Sequence, residues 1–202
     1  MKGFFVIDDF LKNPDQIRIE ALNAYSTQQH YTSTRYPGTR ILIENDYIKK
    51  YLKENVSKLV GENVTILDCC YQFIDKKCVK GLPHDDRDRK YSSIIYLNPH
   101  PPENSGTEIF DYHYLNNFNI YKRDDVIVKT IKENFSKSNK NFIHRILYSK
   151  FADKLSKEQK YKSIVGNRYN RLLLFDSQLI HKAQNFFGEE KNSRLTLITF
   201  FK

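Results

Sequence analysis

His84 and Asp86 stand two residues apart in the stretch Leu82–Pro83–His84–Asp85–Asp86. On an extended strand side chains alternate, so His84 and Asp86 share a face and Asp85 points away. An imidazole and a carboxylate so placed can grip one side of a metal ion. A second histidine from elsewhere would complete a set of two histidines and one carboxylate, with positions left open for O2 and substrate. The chain holds six histidines, so such a pair also arises by chance and needs its context.

His181, late in the chain within Leu179–Ile180–His181–Lys182–Ala183, stands where a third ligand would be expected. Arg194 follows after one loop, and a hairpin there puts it on the strand beside His181. Leu195, Leu197 and Ile198 surround it. A buried arginine needs an anion, because an unpaired buried charge is costly, and its planar fork suits a carboxylate. Thr196 shares the face of Arg194 and offers a hydroxyl.

These residues need elements to hold them. Phe4–Phe5–Val6–Ile7 reads as a short strand. A helix opens near Pro14, with Asn13 as a cap and Ile17, Ala21, Leu22, Ala24 and Tyr25 at helical spacing. Tyr36–Pro37–Gly38–Thr39–Arg40 is a turn signal, followed by the apolar Ile41–Leu42–Ile43. Tyr47 to Val60 is amphipathic, with Ile48, Tyr51, Leu52, Val56 and Leu59 on one face, and Gly61 stops it. Strands follow: Val64–Leu67 joined to Cys70–Phe73, the His84–Asp86 strand, Tyr91–Asn98 and Thr107–Phe110. The turn between the last two, His100–Gly106, is rich in proline. Strands resume at Tyr169–Asp176, Leu179–Ala183 and Ser193–Phe201.

Residues 116–163, rich in Lys, Asn and Ser, read as a helical insertion or lid, with helices around Val126–Phe135 and Ile143–Leu155. The pattern is a mostly β chain with buttressing helices (α+β), an antiparallel barrel-like core. The expected organisation is a single domain over 1–202. Residues 1–63 form helical support, 64–115 and 164–202 the β core, and 116–163 the insertion.

A chain of 202 residues suits one domain. Hydrophobic content of 40% and charged content of 28% are those of a globular chain. No apolar run approaches a membrane span, and acid appears too early for a secretory signal. Cys69, Cys70 and Cys78 have no zinc-like spacing and read as buried reduced thiols, so a cytoplasmic protein is expected. A net charge of +9 permits an acidic partner such as nucleic acid. The lysines are scattered, however, and a solvated surface accounts for them.

Taken together, these residues resemble the iron(II)- and 2-oxoglutarate-dependent dioxygenases of the prolyl-hydroxylase-like branch. The resemblance runs through Val6–Ile7–Asp8–Asp9–Phe10–Leu11, His84-x-Asp86, Tyr96–Leu97–Asn98 and Gly106–Thr107–Glu108–Ile109–Phe110. It continues through Arg171–Leu172–Leu173–Leu174–Phe175, His181, Arg194 and Phe200–Phe201. It implies a double-stranded β-helix (jelly-roll, cupin-like) core in which His84, Asp86 and His181 hold Fe(II). It implies that 2-oxoglutarate pairs its distal carboxylate with Arg194, assisted by Tyr96, Tyr71 and Thr196. The reaction implied is hydroxylation by O2 of a protein side chain, amino acid or small molecule, with release of succinate and CO2. Asp86 favours hydroxylation over halogenation, since halogenating relatives lack that carboxylate. Tyr36 and Arg40 are candidate substrate contacts at the pocket mouth.

The chain departs from the pattern at Ser105–Gly106, where two glycines are usual, and in its long insertion. It also has Phe200 where nucleic-acid-repair members carry a second arginine. Two other readings compete. One is a catalytically inactive binding module of the same fold, perhaps one that contacts nucleic acid. The other is an unrelated metal-binding barrel, which would need His100 or His113 as a ligand and would leave Arg194 without a partner.

Overall fold

The computed structural model describes residues 3–28, 31–32, 36–78, 81, 83–86, 88–110 and 162–202. The expected insertion helices, together with His113, lie outside the described residues.

The chain opens with β1 (Phe4–Ile7) and α1 (Pro14–Thr27). Proline at the first helical position supplies a fixed φ and loses no hydrogen bond there. Asn13 precedes it, but its side chain makes no capping bond. Strands β2 (Tyr31–Thr32) and β3 (Thr39–Leu42) form a hairpin. The second helix, α2 (Asp46–Val60), has the cap that α1 lacks: the Asn45 side chain accepts from the backbone N–H of Tyr47 and Ile48. Gly61 ends α2 with φ +76°, a conformation that glycine adopts without steric cost.

The strands that follow are β4 (Ile66–Ile74), β5 (Tyr91–Tyr96), β6 (Thr107–Phe110), β7 (Lys162–Val165), β8 (Leu172–Asp176), β9 (His181–Ala183) and β10 (Arg194–Phe201). Seven of the ten form one sheet in the order β1-β8-β5-β10-β4-β3-β2, and three form a second in the order β7-β6-β9. Every pairing between these strands is antiparallel. The architecture is the expected one, a mostly β double-stranded β-helix with helical support.

Alternation along the strands sorts the large sheet into two faces. Cys69, Tyr71, Phe73, Tyr91, Ile95, Leu172, Leu174, Leu195, Leu197 and Phe201 pack with Ile17, Ala21, Ile48, Leu52 and Val56 of the helices. The opposite face contributes Ile94, Tyr96, Leu173 and Phe175, which meet Ile109 and Val165 of the small sheet. The second cluster joins the two sheets, and the space between them is where inward polar residues converge.

Two expected strands differ in detail, and one strand was not expected. The His84–Asp86 segment is not a strand but a single antiparallel bridge, His84 to His181. Pro83 lacks a ladder N–H, and the Asp86 N–H goes to Ser177 O at 2.8 Å instead of to β9. The expected strand from Tyr169 begins only at Leu172, because Asn170 takes φ +60° and its amide bonds both backbone groups of Leu11. Strand β7 lies partly inside the expected insertion, since four residues are too few to carry a period.

The cysteines are free. Cys69 and Cys70 are buried on opposite faces of β4, and burial pushes their thiols up to about 11 and about 12, which makes them unreactive. Cys78 is only half-buried, contrary to expectation.

Candidate metal centre and anion pocket

The His84 bridge fixes the first part of the site. His84 N donates to His181 O at 3.0 Å and His181 N donates to His84 O at 2.8 Å. Directly opposed residues carry their side chains on the same face, and the two imidazole centroids lie 4.3 Å apart. Asp86, two residues on, brings Oδ2 to 3.6 Å from His181 Nε2. One donor atom from each of His84, Asp86 and His181 lies within 4.8 Å of the others. Asp85 is not part of this cluster.

The surroundings set the state of each donor. His181 Nδ1 lies 3.0 Å from Leu179 O. A carbonyl only accepts, so Nδ1 carries the proton and Nε2 presents its lone pair to the cluster. Burial, followed by the neighbouring His84, pushes His181 down to about 4, so the ring is neutral at neutral pH. Burial alone would raise the Asp86 carboxyl. The two histidines and the Ser92 hydroxyl outweigh it and hold Asp86 below the usual carboxylate range. Ser92 Oγ donates to Asp86 Oδ2 at 2.7 Å and lies 2.8 Å from Ser177 Oγ. Neutral imidazole and ionised carboxylate are the forms that ligate a divalent metal.

Ser92 also gives the site its address. It is the rung of β5 opposite Phe200 on β10, whereas Tyr96 is opposite Thr196. The metal cluster therefore sits at one end of the inner face. Four residues further along β5, about 13 Å at strand rise, lies a second cluster. There Arg194, 2% exposed, donates from Nε to Ser105 O at 3.1 Å. Its Nη2 is buried with no hydrogen-bond partner, and Thr196 Oγ1 is likewise unpaired. Tyr96 stands beside it, with the guanidinium carbon 5.5 Å from the ring centroid, and Tyr96 Oη donates to Thr107 Oγ1 at 2.7 Å. Arg194 has no ion pair among the described residues. A fully buried cation with an open donor fits an anion absent from the chain itself.

Asn98 anchors this arginine. Its Nδ2 donates to Ser193 O at 3.0 Å and its Oδ1 accepts from Leu195 N at 2.8 Å, so one amide clamps the backbone on either side of Arg194. Gly106 lets the Ser105 turn approach β7: a Cβ there would meet Val165 O at 2.1 Å.

Of the residues expected from sequence, Tyr71 is misplaced. It stands opposite Leu197, while its neighbour Gln72 stands opposite Thr196. Tyr71 therefore faces the helices and lines a cavity of about 400 Å3 with Glu20 and Asn45. Arg40 is on the correct face, paired with Gln72 across β3 and β4. Its guanidinium stacks 3.8 Å over the Tyr36 ring. Gln72 Nε2 donates to Pro37 O at 2.8 Å and so ties the Tyr36 turn to the sheet. His100 is exposed and outside the cluster. Ser92, Ser177, Asn98 and Ser105 were not anticipated. The signal for Ser92 was a pair of serines, Ser92 and Ser93, inside a buried strand whose other residues are aromatic or aliphatic.

Fold and site together define a double-stranded β-helix with a two-histidine, one-carboxylate cluster at one end and a buried arginine at the other. The chain belongs to a family of unknown function, DUF6445, whose model matches residues 2–201. No curated protein matches the sequence.

Solved structures with the same fold include SnoN, a non-heme α-ketoglutarate-dependent epimerase from nogalamycin biosynthesis. It is 12% identical with TM-score 0.63, covering 100% of this chain and 78% of that one. They also include a Pseudomonas putida prolyl-4-hydroxylase, 14% identical with TM-score 0.60, covering 100% and 93%. A third is HygX from Streptomyces hygroscopicus with nickel and 2-oxoglutarate bound, 14% identical with TM-score 0.61, covering 99% and 82%. The prolyl hydroxylase is no more similar than the other two, so the fold does not select the prolyl-hydroxylase branch.

Among the described residues no helix is long and apolar enough to cross a membrane.

Proposed function

We propose that this protein is an Fe(II)- and 2-oxoglutarate-dependent oxygenase that hydroxylates a protein side chain, amino acid or small molecule. The observation that carries this reading is the unpaired Nη2 of buried Arg194 on the same inner face as the His84, Asp86 and His181 cluster, with the Tyr96–Thr196 rung between them. In this reading one dicarboxylate runs along that face, with one end at the metal and the other at the guanidinium. The same pairing of intact triad and waiting arginine argues against an inactive binding module.

In this reading His84, Asp86 and His181 are the ligands, and iron bound there supplies oxidation by O2 coupled to conversion of 2-oxoglutarate to succinate and CO2. The remaining work belongs to the chain. The Leu179 carbonyl keeps the His181 proton on Nδ1, and Ser92 orients Asp86. Arg194, positioned by Asn98 and Ser105, takes the distal carboxylate. Thr196 and Tyr96 add hydroxyls beside it, with Tyr96 exchanging its bond to Thr107. The packed cluster of Ile94, Ile109 and Phe175 keeps water from the space between the sheets. Tyr36 and Arg40 meet the substrate. The domain is single, with residues 1–63 as support, 64–115 and 164–202 as core, and 116–163 as the insertion. Reduced thiols fit a cytoplasmic location.

Succinate formation from 2-oxoglutarate with Fe(II) and O2 tests the reading, with His84→Ala and Arg194→Leu as controls. The wild type forms succinate and both variants lose it. Absence of succinate from the wild type together with absence of iron binding overturns the assignment.

A further inference from the structure

Two arginines converge on one aromatic ring at the metal end of the inner face. The Arg40 guanidinium carbon lies 5.6 Å from the Phe200 centroid and that of Arg89 lies 5.7 Å from it. Phe200 is the rung opposite Ser92, the residue that bonds Asp86. The pair therefore sits beside the metal cluster, and the Arg40 charge contributes to holding Asp86 ionised.

Neither arginine has an anionic partner among the described residues. Arg40 stacks on Tyr36, and its Nε is buried without a hydrogen-bond partner. Arg89 makes one bond, from Nη1 to the carbonyl of Asp88 at 3.3 Å. Asp68, opposite Phe200 on β4, forms no ion pair with either. The Arg40 charge acts on Asp86, but no carboxylate among the described residues forms an ion pair with either guanidinium, so an oxyanion seated at the Phe200 ring would meet two cations. Stacking on Tyr36 occupies the face of the Arg40 guanidinium and leaves its N–H edge for a bidentate acceptor.

That acceptor is not the distal carboxylate of 2-oxoglutarate. Arg194 and Phe200 are six residues apart on β10, about 20 Å at strand rise, which exceeds the length of a five-carbon diacid.

We propose that Arg40 and Arg89, on either side of Phe200, form an oxyanion subsite for the substrate, so that the substrate carries a carboxylate or phosphate group beside the carbon to be oxidised. This rests on the oxygenase reading for the word substrate, but the anion subsite can be measured independently.

Calorimetric titration of phenyl phosphate, benzoate and neutral benzyl alcohol into protein loaded with nickel(II) and 2-oxoglutarate tests it. At least one anion is expected to bind about tenfold or more tighter than benzyl alcohol, and Arg40→Met should weaken it about tenfold or more. Arg89→Met should weaken it less, and Arg40→Lys should retain part of the affinity, which separates lost recognition from lost folding. The stronger of the two anions identifies phosphate or carboxylate as the partner. If neither anion binds tighter than benzyl alcohol, or if Arg40→Met leaves anion binding unchanged, the proposal is overturned. It is also overturned if Arg40→Met weakens 2-oxoglutarate as much as the anion, because Arg40 then serves the cosubstrate. The same titration on metal-free protein separates the two readings. Arginine-dependent anion binding without nickel or 2-oxoglutarate uptake removes the oxygenase reading and leaves the subsite standing.

Discussion

Strand β10 carries two chemistries on its two faces. Leu195, Leu197 and Phe201 face the helices and belong to the apolar cluster that includes Ile48, Leu52 and Val56 of α2. Arg194 and Thr196, one residue out of phase, face the small sheet and carry polar atoms with no partner. Both faces are equally buried. Burial on the helix side therefore stabilises the fold, while burial on the inner side leaves polar atoms unpaired that, in the proposed function, meet the cosubstrate. The two faces should respond oppositely to substitution.

The largest effect is expected on the helix side. Leu197→Ala should cost about 2–5 kcal/mol in urea unfolding, through lost transfer energy and a cavity, with 2-oxoglutarate affinity unchanged. A comparable loss of cosubstrate binding would show that the two faces are not separable.

Arg194→Leu is the converse. It removes a buried, unpaired cation, so the ligand-free protein should unfold at the same urea concentration or up to about 1–4 kcal/mol later. Calorimetry should find 2-oxoglutarate binding weaker by about 1.5–3 kcal/mol or more, as for a lost charged hydrogen bond. Destabilisation of the ligand-free variant would mean that Arg194 already has an anionic partner.

His181 provides a pH test of the inner face. Its folded value of about 4 lies below the unfolded 6.5. Between those values the unfolded chain binds a proton that the folded chain does not. Stability therefore falls as pH drops from about 6.5 toward about 4, by up to about 3 kcal/mol, and levels off below that window. Asp86, held low, adds its own loss only below the ordinary carboxylate range. Urea unfolding of metal-free wild type against His181→Gln across that range checks this, and the variant should lose most of the slope.

The smallest effect separates the two tyrosines. Tyr96→Phe should weaken 2-oxoglutarate by about 1 kcal/mol, whereas Tyr71→Phe, on the helix side, should leave it unchanged. Equal losses in the same titration would return Tyr71 to the pocket.

Tyr71 also marks the limit of what the sequence pattern specifies. The strand itself was legible from its β-branched and aromatic run, but its phase was not. Cys69 through Phe73 is apolar or aromatic on both faces apart from Gln72, so the pattern gave no alternation to fix which side each residue takes. On β10 Arg194 and Thr196 broke the apolar run at every second position, and the inner face could be assigned. His84 and Asp86 were legible as a pair, although their segment is one bridge and not a strand, because a two-residue spacing survives any locally extended backbone. The serine and asparagine supports were not legible, since Asn98 bonds Ser193 and Leu195 far along the chain, and Ser92 meets Asp86 and Ser177 only once the fold brings them together. Strand β7 was lost for want of length.

In the proposed function the inner face holds a metal through Asp86 and a dicarboxylate through Arg194. Anaerobic titration of Fe(II) and then 2-oxoglutarate, read by the visible metal-to-ligand charge-transfer band of the chelate, addresses both at once. Wild type and Asp85→Ala should develop the band, and Asp86→Ala should not. A band that survives Asp86→Ala but is lost in Asp85→Ala, or no band in the wild type, would contradict the assignment.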